Sequence, residues 1–166
     1  MASALIAFGG NVGDVRAMFP RAIDDICDRA LATLTARSSD YVTPPWGEQQ
    51  QPAFINAAIA IETQLDPHAL LATLHEVERM FGRDRARETR WGPRTLDLDL
   101  IAYDDVAINS QELTLPHPRL FERAFVLVPL AEIAPERMIG GSRIREALSR
   151  LSQDGITRLP DLPKPQ

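Results

Sequence analysis

Two aspartates, Asp97 and Asp99, stand one residue apart in the run Leu96-Asp97-Leu98-Asp99-Leu100-Ile101. The alternation has the period of a β-strand, which puts Leu96, Leu98 and Leu100 on one face and both carboxylates on the other. Residues two apart on a strand have Cα atoms about 6.5–7 Å apart, so their oxygens can reach a common point. Two acids held that close repel unless a cation joins them, and hard oxygen ligands suit Mg²⁺. Just upstream, Arg83, Arg85, Arg87, Arg90 and Arg94 crowd a segment broken by Gly82, Gly92 and Pro93. Guanidinium groups beside a carboxylate pair suit metal-bound phosphates. Either feature alone is compatible with solvated surface; their adjacency within residues 90–99 is what points to a site.

Composition narrows the setting. A chain of 166 residues, 45% hydrophobic and 25% charged, has the length and make-up of one globular domain, taken as residues 1–159 with a Pro-rich tail at 160–166. The formal net charge of −5 argues against a nucleic-acid partner, the arginine-rich segment being a local exception. Lys164 in the tail is the sole lysine, so arginine must handle any phosphate. Cys27 has no second cysteine to pair with, which fits a reducing compartment. The first residues lack the basic start of a signal peptide, and no apolar run approaches membrane length. These features together read as a cytoplasmic protein.

The elements that must position the aspartates follow from periodicity. Ala4 to Phe8 reads as a buried strand, closed by the turn Gly9-Gly10-Asn11-Val12-Gly13-Asp14, with Asp14 a helix N-cap. The turn is not a P-loop, because no Lys-Ser/Thr pair ends it. Helical spacing runs from Val15 to Leu34, with Pro20 expected to kink the helix or begin its regular part. A second strand is expected from Thr35 to Thr43, stopped by Pro44-Pro45. Phe54 to Glu62 alternates Ile55, Ala57, Ile59 and Ile61 against Phe54, Asn56, Ala58 and Ala60. An aromatic beside a carboxamide suits a flat heterocycle with hydrogen-bonding edges, although on a strand such a pair also serves plain packing. Asp66-Pro67 starts a helix with the buried stripe Leu70, Leu74, Val77 and Phe81, ended by Gly82; His75 and Glu78 read as solvated flank. After the aspartate strand, residues 106–108 and 113–115 suggest a small β arm. Pro116-His117-Pro118-Arg119 then leads to a helix carrying Arg123, Phe125 and Val126 to Leu130, and Ser142 is expected to cap a last helix to about Leu151.

The run Arg90-Trp91-Gly92-Pro93-Arg94-Thr95-Leu96-Asp97-Leu98-Asp99 closely resembles the signature of the 6-hydroxymethyl-7,8-dihydropterin pyrophosphokinase family. Thr43-Pro44-Pro45-Trp46-Gly47 followed by Phe54-Ile55-Asn56-Ala57-Ala58 resembles that family's pterin-binding region, and the resemblance extends over residues 4 to about 135. It implies a diphosphate transfer from ATP to the reduced pterin, with two Mg²⁺ on Asp97 and Asp99, in a protein expected to be a monomer. By the same resemblance Arg83, Arg94, Asp97 and Asp99 are catalytic. ATP would be held by Arg83, Arg85, Trp91, Arg94, Leu100, Thr114, His117 and Arg123. The pterin would lie against Gly9, Asn11, Thr43, Pro44, Trp46, Phe54, Asn56, Asp97 and Phe125. Two departures stand out: Gly10 where the family usually has serine, and Ala86 where it often has a basic residue.

The element order strand-helix-strand-strand-helix-strand predicts an α+β sandwich of ferredoxin-like βαββαβ topology, mostly antiparallel, with helices on one face, further helices added and a small β arm. Two rivals remain. An Asp-x-Asp nucleotide-sugar transferase would use the same metal pair but leaves Phe54 and Asn56 unexplained. An RNA-binding ferredoxin-like module would use Trp91 and the arginines, but lacks paired aromatics on its strand faces. Both tryptophans fall in segments read as lids over the groove. MgATP alone should therefore change mainly Trp91 fluorescence, and the pterin with a non-hydrolysable ATP analogue should change Trp46. Spectra that stay unshifted through both titrations, after correction for pterin absorbance, would show static indoles.

Overall fold

The computed structural model describes residues 1–44, 50–82 and 95–163. The chain runs β1 (Ala2–Gly10), α1 (Val15–Arg29), β2 (Ala32–Arg37), β3 (Tyr41–Thr43), β4 (Phe54–Thr63), α2 (Pro67–Met80) and β5 (Asp97–Tyr103). It continues through β6 (Ile108–Asn109), β7 (Thr114–Leu115), α3 (Ala124–Ile133), β8 (Met138–Ile139), β9 (Ser142–Arg143), α4 (Ile144–Ser149) and β10 (Thr157–Arg158). Among the described residues, the main sheet has the order β10-β3-β4-β1-β5, with β2 also on β4, and its pairings are antiparallel. This is the α+β, ferredoxin-like arrangement that the element order predicts.

β1 lies at the centre because both its faces are apolar. Ala4, Ile6 and Phe8 join Ala57, Ile59 and Ile61 of β4 and Leu96, Leu98 and Leu100 in one core. That core is closed by Phe19 and Ile26 of α1 and by Leu70, Leu74 and Val77 of α2. Phe8 meets Phe19 edge-on, with ring centroids 5.3 Å apart. The helix starts are those expected: Asp14 accepts from the Ala17 amide and Asp66 from the Ala69 amide, with Pro67 in the first turn. Cys27 packs against this core, and burial first, then Asp24 and Asp28, raises its thiol pKa.

The opposite face is covered too, which the one-face expectation did not include. Leu5, Ala7, Ala58, Ile101 and Ala102 form a second core with Leu127 and Leu130 of α3 and Ile144 and Ala147 of α4. A register shift between Leu5 and Ile6 leaves Ile101 extra on β5, so Ile101 and Ala102 both turn towards this layer. The covered face also removes the open sheet surface that the RNA-binding reading needs.

Several expected boundaries move. α1 ends at Arg29, and Leu31 takes a positive φ of 50°, so Leu34 lies on β2 opposite Ile61 and is exposed rather than on the helix stripe. Pro20 lies inside α1 and does not begin it; its missing N–H costs one helical bond. The single strand expected at 35–43 is two, broken where Ser38 replaces ladder bonds. Its amide donates to the Ala58 carbonyl at 2.9 Å, and its hydroxyl oxygen accepts from the Ala58 amide at 2.8 Å. Ser142 belongs to β9 rather than capping α4, because Gly140 and Gly141 adopt the positive φ values of a tight hairpin. The β arm is present as β6 and β7. The chain is held as far as Pro160, whose carbonyl accepts from Arg16, so the first tail residue is anchored.

Gly10 now has a steric reason. A Cβ there would lie 2.5 Å from the Thr95 carbonyl oxygen and 3.3 Å from Val15 Cγ1, so β1 and the approach to β5 are too close for any side chain. Gly10→Ser should lower unfolding free energy by about 1–3 kcal/mol through forced backbone displacement. Urea melts would show this as a lower midpoint at constant slope; an unchanged midpoint would mean the close approach is soft.

Candidate active site

The site is built by register. On β1, Gly9 pairs with Asn56 on one side and Asp97 on the other; two residues earlier, Ala7 pairs with Ala58 and Asp99. Paired residues point to the same face of a sheet, so Asn56, Gly9 and Asp97 form one row and Ala58, Ala7 and Asp99 the next. Strand spacing puts Asn56 and Asp97 about 9–10 Å apart, with only a glycine between them. A Cβ on Gly9 would come within 3.0 Å of the Asn56 side-chain nitrogen, so the gap depends on its absence.

One end of the row is a hydrogen-bonding wall. The Thr43 hydroxyl donates to Asn56 Oδ1 at 2.7 Å, and Asn56 Nδ2 donates to the Phe8 carbonyl at 3.4 Å. Among the described residues these bonds use one amide hydrogen and one lone pair of the carboxamide, leaving one of each for the edge of a ligand. Phe54 is paired across from Thr43, and Pro44 follows at the exposed end of β3. Asn11 is buried, and its amide donates to Gln51 Oε1 and to the Pro52 carbonyl, both at 2.9 Å. Both amide hydrogens are thereby committed to the chain entering β4, so Asn11 shapes the wall by anchoring that segment. Gln51, the other half of this brace, was not foreseen, since nothing in a polar loop sequence marks one amide for burial.

The other end is charged. Asp97 and Asp99 are half-buried on the face opposite Leu96, Leu98 and Leu100, as their alternation predicts. Arg123, which precedes the first turn of α3, brings Nη1 to 4.0 Å from Asp99 Oδ2, and its guanidinium carbon lies 5.7 Å from the centre of the Phe125 ring. α3 packs on β4 and β1, which fixes where Arg123 and Phe125 enter. His117 crosses β5, its amide donating to the Ile101 carbonyl at 2.9 Å. Its Nδ1 accepts from the Arg119 amide at 3.2 Å, which leaves the proton on Nε2. Thr114 lies half-buried on β7, which packs beside β5. The Leu100 side chain lies in the α1/α2 core, which leaves its backbone to meet a nucleotide. Trp46, Arg83, Arg85, Trp91, Arg94 and the Ala86 departure lie outside the described residues.

Glu78 is a correction. It was expected to be solvated, yet it is 1% exposed, and its Oε2 accepts from the Leu98 amide at 2.8 Å. Leu98 stands between the two aspartates, so this carboxylate ties the aspartate strand to α2 at the sheet's end. The signal was present: residue 78 follows Leu74 by four and precedes Phe81 by three, which is the buried stripe itself.

The donor set can be tested against a divalent cation. Among the described residues no cluster of three or more His, Cys, Asp or Glu side chains is assembled. Two carboxylates from one strand face are nevertheless what Mg²⁺ takes when waters and substrate phosphates complete its shell. The residues fit a cation delivered with a polyphosphate better than a stand-alone protein cage.

His117 is pushed down to about 4 from the ordinary 6.5, first by burial and then by Arg123, with Asp97 opposing and Arg119 adding to the drop. The native state therefore favours the neutral ring. Its contribution to stability is complete above pH 6.5 and is lost as pH falls towards 4, where the unfolded chain binds the proton more readily. Between pH 7 and pH 4.5, His117→Gln should lose less unfolding free energy than the wild type in urea melts. Equal losses would mean that the ring titrates normally in the fold.

Comparison with known proteins identifies the family and the fold. Residues 5–135 match the family described as 7,8-dihydro-6-hydroxymethylpterin-pyrophosphokinase (HPPK). A 2-amino-4-hydroxy-6-hydroxymethyldihydropteridine pyrophosphokinase of Methylorubrum extorquens is 47% identical over 159 residues, covering 96% of this chain and 99% of its own. The Bacillus subtilis protein of the same description is 43% identical over 133 residues, covering 80% of this chain and 78% of its own. Among solved structures, one HPPK-DHPS in complex with substrates superposes with a TM-score of 0.73 at 13% identity. It covers 97% of this chain and 47% of that longer one, so this chain spans about half the length of that relative. A Plasmodium falciparum HPPK-DHPS gives a TM-score of 0.71 at 14% identity, over 90% of this chain and 42% of its own. At such identities the structures speak for the fold, and the sequence matches for the family. This chain belongs to the 7,8-dihydro-6-hydroxymethylpterin-pyrophosphokinase family.

Proposed function

We propose that the chain transfers diphosphate from ATP to 6-hydroxymethyl-7,8-dihydropterin, as a transferase of folate biosynthesis. The observation that carries this reading is the cross-strand row Asn56–Gly9–Asp97, which sets a hydrogen-bonding wall and a carboxylate pair one strand apart on one sheet face. The pterin lies against Thr43, Asn56, Phe54 and Phe125, with its polar edge on the free capacity of the Asn56 carboxamide and its hydroxymethyl group directed towards Asp97. Asp97 and Asp99 would hold Mg²⁺ together with the ATP phosphates. When bound, that cation neutralises phosphate charge and orients the reacting groups.

The hydroxymethyl oxygen forms a bond to the β-phosphorus, the bond from that phosphorus to the oxygen bridging to the α-phosphorus breaks, and AMP departs with the bridging oxygen. The hydroxyl proton passes to solvent; positioning and fixed charge carry the rate, as in other phosphoryl transfers. Arg123 offers a guanidinium close to Asp99, and His117 a neutral Nε2–H donor, for phosphate oxygens; Arg83 and Arg94 absorb charge that develops in the transition state. Thr114 and the Leu100 backbone serve the nucleoside end. A monomer is what the family resemblance implies, and the lone cysteine fits a reducing cytoplasm. Among the described residues no helix is long and apolar enough to cross a membrane.

The test is direct. Protein with MgATP and the reduced pterin should yield AMP and pterin diphosphate in equal amounts, whereas ADP as the product would mean a monophosphate transfer. Asp97→Ala and Asp99→Ala should abolish measurable turnover with an unchanged circular dichroism spectrum, since neither side chain belongs to the leucine core. Asn56→Ala should raise the pterin KM more than it lowers kcat. Substantial activity in either aspartate variant would remove the metal assignment, and a fall in kcat alone would move Asn56 from binding to chemistry.

A further inference from the structure

Residues 155–160 lie beyond the stretch matched to the family, and the reaction above uses none of them. They are nevertheless bound to the wall that carries Thr43. β10 pairs with β3, Thr157 opposite Val42 and Arg158 opposite Tyr41, and the Leu159 amide donates to the Asp40 carbonyl at 2.9 Å. Arg158 Nε donates to Ser39 Oγ at 2.8 Å. Arg16 bridges two segments: Nη2 donates to the Pro160 carbonyl at 2.6 Å while Nε holds Asp40 Oδ2 at 2.9 Å. Asp40, only 4% exposed, is also paired with Arg37 at 3.0 Å. At the start of the segment, Gly155 has a φ of +81°, and a Cβ there would lie 2.7 Å from Pro44 Cγ. The turn is thus pressed against the residue that follows Thr43.

β3 needs such support. It has three residues, the ladder is broken on its N-terminal side at Ser38, and among the described residues β4 pairs with its other edge. A strand of three residues has few ladder bonds of its own, so contacts on its second edge add to what holds it. Glu132 of α3 secures its start, accepting from the Ser39 amide and, at 2.6 Å, from the Tyr41 hydroxyl. The 155–160 segment secures the opposite edge and the exit at Pro44.

We infer that residues 155–160 are a strap that positions the Thr43–Asn56 pair and so sets affinity for the pterin while leaving the nucleotide half of the site alone. The inference rests on the placement of the pterin against Thr43 and Asn56. The strap touches β3 and the Pro44 exit, whereas Asp97 and Asp99 stand on β5, His117 just after β7 and Arg123 at the start of α3. Loosening β3 therefore displaces the donor that orients the Asn56 carboxamide and leaves the carboxylate pair in register.

Two full-length variants test this. Leu159→Pro removes the amide that donates to Asp40, and Arg158→Ala removes the contact to Ser39. Each should raise the pterin KM about 3- to 10-fold, the size of one net hydrogen bond, with kcat and the ATP KM within about twofold of wild type. Arg158→Lys, which keeps a donor, should recover part of the pterin affinity. Asn56→Ala is run alongside. If it raises the pterin KM while Arg158→Ala and Leu159→Pro lower only the melting temperature, the strap is a structural brace and the inference is overturned. If both KM values rise together, the strap holds the whole sheet and its selectivity is refuted. If Asn56→Ala itself leaves the pterin KM unchanged, the placement of the pterin fails first. Should Leu159→Pro not fold, the Arg158 pair of variants decides the question unaided.

Discussion

The arrangement depends on β1 being clamped in register on both sides. Nine consecutive residues, Ala2 to Gly10, face partners on β4, and Ala4 to Gly9 also face β5. A shift of one residue along either neighbour would turn every side chain to the wrong face. Ile6 and Phe8 would leave the α1/α2 core, and Gly9 would no longer separate Asn56 from Asp97. Because both faces of β1 are buried, such a slip would expose apolar surface on one side and crowd the other. The site therefore inherits its precision from the core: two layers of packing against one strand hold the aspartates opposite the carboxamide.

The ends of the sheet are finished by side chains. At β5, an edge of the sheet among the described residues, Glu78 accepts the Leu98 amide, and a buried carboxylate that receives a backbone N–H recovers part of its lost hydration. Close to the start of β1, Asp104 Oδ1 accepts from the Ser3 amide at 2.8 Å, and Arg137 donates to the Ser3 hydroxyl at 3.0 Å. Burial lowers the Arg137 pKa, and Asp104 and Asp105 oppose that shift. At the far edge, Asp40 gathers Arg16 and Arg37. Exposed pairs of this sort add little, but the nearly buried Asp40 is a different case. Removing both arginines would leave a buried charge without compensation.

α3 links these parts. Its Leu127 and Leu130 fill the second core, its leading residue Arg123 approaches Asp99, and its Glu132 holds β3 at the other end of the site. One rigid element thus joins the carboxylate end to the hydrogen-bonding wall. The same helix closes off the sheet face that an open ferredoxin-like module would present to a nucleic acid.

Much of this was legible in the chain itself. Strict alternation placed the leucines and aspartates on opposite faces of β5, and likewise the isoleucines and Asn56 on β4, because a strand has period two whatever surrounds it. Asp14 and Asp66 marked helix starts through bonds that are local in sequence. The contiguous Arg-Trp-Gly-Pro-Arg-Thr-Leu-Asp-Leu-Asp run identified the family. Tertiary structure alone decided what depends on distant partners. Glu78 sits on the stripe that periodicity marks, but the Leu98 amide it accepts arrives from β5, and Leu34 leaves the helix stripe because Ile61 pairs with it. Ser38 breaks a strand by bonding to Ala58, and Gly10 is required by the carbonyl of Thr95. Each of these is a contact between residues at least twenty positions apart. Local propensity acts over only a few residues, so a sequence read by periodicity carries no record of which far group will arrive.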